Sequence, residues 1–253
     1  MRLTFLGTGT SQGIPMIGCP CEVCRSLDFR DKRLRTSVHL HIDGKSIIID
    51  SGPDFRQQVL QQRITQLDAL LFTHEHKDHT AGMDDIRGFN FLQGKAIPIY
   101  ARDRVIRQLR QEFAYVFAEE KYPGVPEVSV HIIENKPFTA EGITFIPIDV
   151  LHHKLPVFGF RVGDLTYITD ANFIPEEEKV KIKGTQVLVL NALRLKKHIS
   201  HYNVEEALEL VEELSPKKTY FTHISHQLGL HDKVSKMLPD HVHLAYDGLQ
   251  VEV

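Results

Sequence analysis

Cysteine is scarce: the 253 residues carry three, and three thiols cannot all pair. That argues against a disulfide framework and for a reducing, cytoplasmic setting. Tryptophan is absent, and no apolar run approaches the ~18 residues that a membrane span requires. The apolar stretch within Met1–Gly7 is too short for a signal peptide. Nor is one charge in excess: 30 Lys+Arg against 33 Asp+Glu leave −3, which draws the chain to neither nucleic acid nor an acidic membrane. No Ser/Gly tract, long single-charge run or internal repeat divides the chain, so residues 1–253 are expected to form one α/β domain. What is abundant is histidine, with 15 residues.

Hydrophobic periodicity alternates between strands and helices. Arg2–Leu6 and Val38–Asp50 read as strands, the latter folded into a hairpin at Asp43-Gly44. Pro53 opens a helix running to about Arg63, and Ala69–Thr73 is a short buried strand ending on His74. Arg102–Phe117 is amphipathic through Val105, Leu109, Phe113 and Val116, with its arginines on the wet face. Ile143–Val150, Phe158–Thr169 (turning at Gly163-Asp164) and Val187–Leu190 are strands. Asn203, with Glu206 three residues later, caps a helix to Leu214. Strands fall into two groups with helices among both, which suits a two-sheet α/β sandwich.

The chemistry concentrates in Thr73-His74-Glu75-His76-Lys77-Asp78-His79, directly after a buried strand. Imidazole and carboxylate are ligands for Zn²⁺ and related divalent ions. A tight loop can aim such close neighbours at two adjacent points, whereas a regular strand would send His76 and His79 to opposite faces. Further donors stand at the ends of other strand-like runs: the pair His152-His153, Asp170 and His223. Together they supply a third histidine for each of two ions and a carboxylate to bridge them. A separate cluster, Cys19-Pro20-Cys21-Glu22-Val23-Cys24, gathers every thiol in a C-x-C-x₂-C loop suited to one soft ion, with a redox pair or inert thiols as the alternatives. The glycine-rich run Gly7–Gly13 lacks the ending of a nucleotide-binding loop and reads as a close-packed turn near the metals. The positive stretch Arg25–Arg35 reads as a solvated loop, and Arg87 as a weak candidate to approach a phosphate. Asp50 and Asp54 could steady ligating histidines or cap a helix.

On these residues the chain closely resembles the metallo-β-lactamase superfamily, whose fold is an αββα sandwich of two mixed sheets with a dinuclear site at one edge. The resemblance implies that His74, His76 and His153 hold one ion, that Asp78, His79 and His223 hold the other, and that Asp170 bridges them. His153 is preferred over His152 because family members place a Gly-Phe or Gly-Tyr pair six residues after the ligand, where Gly159-Phe160 stands. The cysteine loop is similar to that of one branch, typified by the cyclic-phosphate phosphodiesterase of the carbon–phosphorus lyase pathway. In that branch the fourth ligand comes from a His-x-x-His segment, which makes His226 the partner of Cys19, Cys21 and Cys24 in a structural zinc site. The same resemblance singles out His201, beside the Asn203-capped helix, as a proton donor to a leaving oxygen. Asp78 counts among the catalytic as well as the ligating residues.

The expected protein is a metal-dependent phosphodiesterase whose two divalent ions, Zn or Mn, stand about 3.5–4 Å apart and neutralise the charge of an in-line displacement at phosphorus. Its substrate, by resemblance, is a small cyclic phosphate such as phosphoribosyl 1,2-cyclic phosphate. No long nucleic acid and no membrane are expected as partners, and a homodimer is allowed. The alternatives are an RNA 3′-processing endonuclease, disfavoured by the near-neutral charge, and a non-hydrolytic metal-binding accessory of cofactor biosynthesis, disfavoured by the complete ligand set.

Overall fold

The computed structural model describes residues 1–253. The first half of the chain runs β1 (Arg2–Gly7), α1 (Glu22–Arg25), β2 (Ser37–Ile42), β3 (Lys45–Ile49), α2 (Phe55–Gln61), β4 (Ala69–Leu71), α3 (Lys77–Thr80), α4 (Arg87–Gln93), β5 (Ile97–Ala101), α5 (Asp103–Glu112), α6 (Ala114–Phe117) and β6 (Val128–Ile132). The second half runs β7 (Phe138–Ala140), β8 (Ile143–His152), β9 (Leu155–Val162), β10 (Leu165–Tyr167), α7 (Glu176–Ile182), β11 (Val187–Asn191), α8 (Val204–Leu214), β12 (Lys218–Thr222), α9 (His231–Ser235), β13 (Val242–Leu244) and β14 (Gln250–Glu252). The strands make two seven-stranded sheets, in the orders β14-β1-β2-β3-β4-β5-β6 and β13-β12-β11-β10-β9-β8-β7. Each mixes antiparallel hairpins with parallel strands. This is the αββα sandwich.

The alternation of each strand decides its two faces. Val38, Leu40 and Ile42 of β2 meet Phe145, Phe158 and Phe160 of the facing sheet in the central core, while His39 and His41 take the opposite face. The strands β4 and β11 are buried throughout, because they run parallel to their neighbours and carry helices outside. Phe55, Phe89, Val105 and Leu109 close one outer layer and Val204, Leu210, Val211 and Leu214 the other. Burying each such side chain contributes roughly 1.5–3 kcal/mol. The start of α8 is as expected: Asn203 accepts from the Glu206 N–H at 2.8 Å while Glu206 reaches back to the Asn203 N–H.

Three local readings need correction. The helix expected over Arg102–Phe117 breaks at Phe113, whose φ of −116° and ψ of 44° separate α5 from α6. The strand around Ile143 continues to His152 and turns at once through His153-Lys154 into β9. The positive stretch before β2 is not a solvated loop. Arg33 is 3% exposed, donating to Thr8 Oγ1 at 2.7 Å and to the Ala245 carbonyl at 2.5 Å, and Arg35 pairs with Asp54 at 2.9 Å. Asp54 is therefore spent on Arg35 and makes no side-chain cap to α2. No helix is long and apolar enough to cross a membrane.

Candidate active site

The strand ends of both sheets deliver donors to one edge of the sandwich. His74, His76, Asp78 and His79 lie in the loop after β4 and in the short α3, which presents Asp78 and His79 from consecutive positions. Asp170 follows β10 and His223 follows β12; with Asp50 after β3 they share a left-handed backbone, at φ of 54°, 54° and 66°. Non-glycine residues rarely hold that conformation, at a cost of order 1–3 kcal/mol each, and it recurs where geometry is imposed for function. Under the loop the backbones nearly touch. A methyl on Gly52 would overlap the Asp78 carbonyl, and one on Gly82 would overlap the Gly52 carbonyl. Ser51 stitches the two segments, its N–H donating to the His79 carbonyl and its carbonyl accepting from the Gly82 N–H, both at 2.8 Å.

Two donor groups result. One joins His74, His76 and His152; the other joins Asp78, His79, Asp170 and His223. Asp170 also falls within a group with His152 and His201, which places it between the two. The residue meeting His74 and His76 is thus His152, not His153. The hairpin explains the correction: β8 ends on His152, whose partner across the ladder is Leu155. His153 takes a left-handed turn position at φ of 57° with its side chain exposed. Counting six residues back from Gly159 lands on the turn, one residue past the strand end.

Ring orientations are set by hydrogen bonds on the far nitrogens. The His79 Nδ1 proton goes to Asp50 Oδ2 at 2.7 Å, that of His74 to Thr73 Oγ1 at 2.9 Å, and that of His152 to the Ser200 carbonyl at 2.8 Å. Hydrogen bonding at Nδ1 leaves Nε2 as the ligand atom of each ring, and that of His74 stands 3.0 Å from His76 Nδ1. His79 Nε2 is buried without a hydrogen-bond partner, 3.1 Å from Asp170 Oδ2 and 3.4 Å from Asp78 Oδ2. Burial opposes charge on His79 most strongly, yet Asp170, Asp78 and Asp50 together hold its pKa well above the ordinary value. Asp170 shows the mirror effect: burial pushes it up, but His223 and His79 keep it well below the usual carboxylate range. The carboxylates converging on His79 concentrate negative charge beside its Nε2, and this donor set of imidazoles and carboxylates fits divalent ions.

His201 is 8% exposed and stacks on His223, with ring centroids 4.8 Å apart. Its Nδ1 lies 3.8 Å from Asp170 Oδ1 and has no hydrogen-bond partner. Burial first, and then the neighbouring His223, push its pKa down to about 3.

Next to this edge, Cys19, Cys21, Cys24 and His226 bring their ligand atoms within 4.8 Å of one another. His226 Nδ1 stands 3.5 Å from Cys19 Sγ and 3.4 Å from Cys21 Sγ. Backbone N–H groups of Cys24 and Met16 donate to Cys21 Sγ and Cys24 Sγ, each at 3.4 Å. The Cys24 N–H first, then His226, lower the Cys21 thiol to about 6, favouring thiolate, whereas burial raises Cys24 to about 11. Glu22, the other acid in the loop, pairs with Lys233 instead. The glycine-rich N-terminal turn packs beside the segment that carries His223, since the Ile224 N–H donates to the Thr8 carbonyl at 2.8 Å.

Between the two clusters opens a cavity of about 270 Å³, walled by Gln12, Arg194, His198, His201, His223 and His226 among others. A larger groove of about 840 Å³ runs between α8 and the Met237–Pro239 segment but touches none of the clustered donors, so chemistry, not size, identifies the site. Sequence reasoning did not find Arg194. It also misread two arginines at the N-terminal end of α5: Arg102 stacks on Phe158 at 3.7 Å and pairs with Asp149, and Arg104 pairs with Glu75 of the His74–His79 loop. Arg87 pairs with Asp84 on the surface.

Comparison with known proteins agrees. The beta-lactamase superfamily domain matches residues 45–224. A crystal structure described as a new diphosphatase from the PhnP family is 40% identical and superimposes at a TM-score of 0.93, covering 100% of this chain and 97% of that one. The octanoyltransferase of Porphyromonas gingivalis (strain ATCC BAA-308 / W83) is 40% identical over 253 residues, 99% of this chain and 51% of that protein. Zn²⁺-bound PqqB from Methylobacterium extorquens shares the fold at a TM-score of 0.81 and 18% identity, over 100% of both chains. The chain spans about half the length of the curated relatives it matches.

Proposed function

This chain belongs to the metallo-β-lactamase superfamily; from that premise we propose that it is a metal-dependent hydrolase, a dinuclear phosphodiesterase acting on a small cyclic phosphate such as phosphoribosyl 1,2-cyclic phosphate. The observation that carries the reading is Asp170, set between His74, His76 and His152 on one side and Asp78, His79 and His223 on the other. Two divalent ions held there, Zn or Mn, would supply Lewis acidity and a water ionised near neutral pH. The protein's own part is orientation. Asp50 fixes His79 directly and His74 through Thr73, whose hydroxyl donates to Asp50 Oδ2 at 2.8 Å. His201 faces the same edge as a neutral ring; negative charge gathering on a bound phosphoryl group raises its pKa, so that it carries the proton to the departing oxygen.

Cys19, Cys21, Cys24 and His226 would hold a structural zinc, tying the N-terminal loop to the wall of the cavity. The backbone N–H donors to sulfur support thiolate ligands.

The likeness to a PhnP-family diphosphatase supports a second reading, cleavage of a phosphoanhydride by the same residues. Against long RNA stand the net charge of −3 and a cavity of about 270 Å³, below the 300–1,000 Å³ common for small-molecule sites. The transferase name belongs to a protein about twice as long, and a cavity with Leu193 as its one apolar residue gives an acyl chain little to bury against. One metal-loaded preparation assayed on cyclic phosphates, linear phosphodiesters, diphosphates and thioesters decides. The proposal expects cyclic phosphates to give the highest kcat/KM, and preference for diphosphates or thioesters would replace it.

A further inference from the structure

Asp170 stands where the pairing of β10 with β11 gives out. The last backbone bond between them runs from the Ile168 N–H to the Val189 carbonyl at 2.8 Å, and at Asp170 the chain turns left-handed. Asn191, the last residue of β11, takes over the pairing with its side chain. Its Oδ1 accepts from the Ala171 N–H at 2.8 Å and its Nδ2 donates to the Ala171 carbonyl at 2.9 Å, and both residues are wholly buried. A carboxamide carries the donor and the acceptor of a peptide group, so it can extend a ladder that the backbone has left.

Ala171 and Asn172 also reach the histidines on either side. The Ala171 carbonyl accepts a second bond, from the Tyr202 N–H at 2.8 Å, which fixes the segment that carries His201. Asn172 brackets His152: its N–H donates to the Leu151 carbonyl at 2.8 Å and its Oδ1 accepts from the His153 N–H at 2.6 Å. The His152 ring closes the circuit on the Ser200 carbonyl, next to His201. Asp170, His152 and His201 therefore share one hydrogen-bonded frame, although they come from three separate parts of the chain. Neither asparagine belongs to a donor group.

Resting on the dinuclear reading, we propose that Asn191 and Asn172 are positioning residues. Asn191 clamps Ala171, and so holds Asp170 between the two donor groups and keeps His201 in register with it. Asn172 sets His152 against the same frame.

Asn191→Leu keeps the volume and removes both bonds, while Leu214→Ala, in the core layer beside α8, is the control for lost stability. Chelating-dye competition on folded samples should show Asn191→Leu binding divalent ions about 10- to 100-fold more weakly than wild type in both donor groups. Leu214→Ala should bind them as wild type does, at an equal or lower Tm. Once saturated with metal, Asn191→Leu should lose about 10- to 100-fold in kcat on a phosphodiester with KM little changed, because a displaced bridge and proton donor act on the chemical step. Asn172→Ala, at a half-buried position, should weaken binding only in the group of His74, His76 and His152, and it decides the matter if Asn191→Leu does not fold. Wild-type affinity and kcat in the folded variants, or losses no larger than those of Leu214→Ala, overturn the positioning role and leave the dinuclear site standing. A wild type that takes up a single ion outside the cysteine cluster overturns the dinuclear reading beneath it.

Discussion

His79 donates its Nδ1 proton to Asp50 at 2.7 Å, and neither side chain is exposed to solvent. The same carboxylate accepts from the Thr73 N–H and hydroxyl, each at 2.8 Å, and through that hydroxyl steadies His74. One carboxylate therefore orients a histidine in each of the two donor groups. Asp50→Asn should leave the fold intact and lower divalent-metal affinity about 10- to 100-fold in both halves, measured by competition with a chelating dye. Wild-type affinity in the variant would mean that the ring orientations are held by packing alone.

His152 and His153 are neighbours with opposite fates. His152→Ala should lose one ion and most of the turnover, whereas His153→Ala, which alters an exposed turn residue, should keep both. Elemental analysis with turnover on the same samples reads the difference. The reverse pattern would return the ligand to the position that the Gly159-Phe160 spacing favours.

Cys21→Ser should lower the metal content from about three ions per chain to about two. Wild-type protein with two ions and three freely alkylated thiols would remove the cysteine site.

Gly52 lies against the Asp78 carbonyl where no Cβ fits. Gly52→Ala should therefore cost about 2–3 kcal/mol or more, a fall of roughly 5–10 °C in Tm, by pushing the metal loop off the Ser51 strand end. A variant with unchanged Tm would show that this close approach relaxes freely.

Burial first, and the nearby charge of His41 next, depress His39 from 6.5 to about 4; its Nε2 stands 2.8 Å from Ser46 Oγ. Unfolded, the ring takes a proton below about 6.5; folded, it stays neutral down to about 4. The unfolded chain thus binds more protons between those values, and the stability present above pH 6.5 falls as pH drops toward 4, by at most roughly 3 kcal/mol. Denaturant midpoints of His39→Gln should show a shallower acid limb than wild type in that window. Parallel curves would assign the acid sensitivity elsewhere.

The legibility of the sequence followed the distance over which each signal acts. The run from His74 to His79 was readable because four donors adjoin a wholly apolar strand, and Asn203 with Glu206 because a helix cap is local. His152 was missed because a two-residue hairpin turn leaves no spacing signature, and only the β8–β9 register separates it from His153. Arg33 read as solvated because its partners, Thr8, Ala245 and His231, come from both ends of the chain. Arg194 was invisible for the same reason: Gln227, which fixes its outer nitrogen, arrives from beyond β12.

The most direct measurement is turnover of a phosphodiester such as bis(4-nitrophenyl) phosphate by the metal-loaded wild type, Asp78→Ala and His223→Ala, with folding checked by circular dichroism. Wild type should hydrolyse it, and each variant should lose about a thousandfold or more while remaining folded, because each removes a ligand from the group that Asp170 joins. Folded variants that retain wild-type turnover would contradict a dinuclear phosphodiesterase.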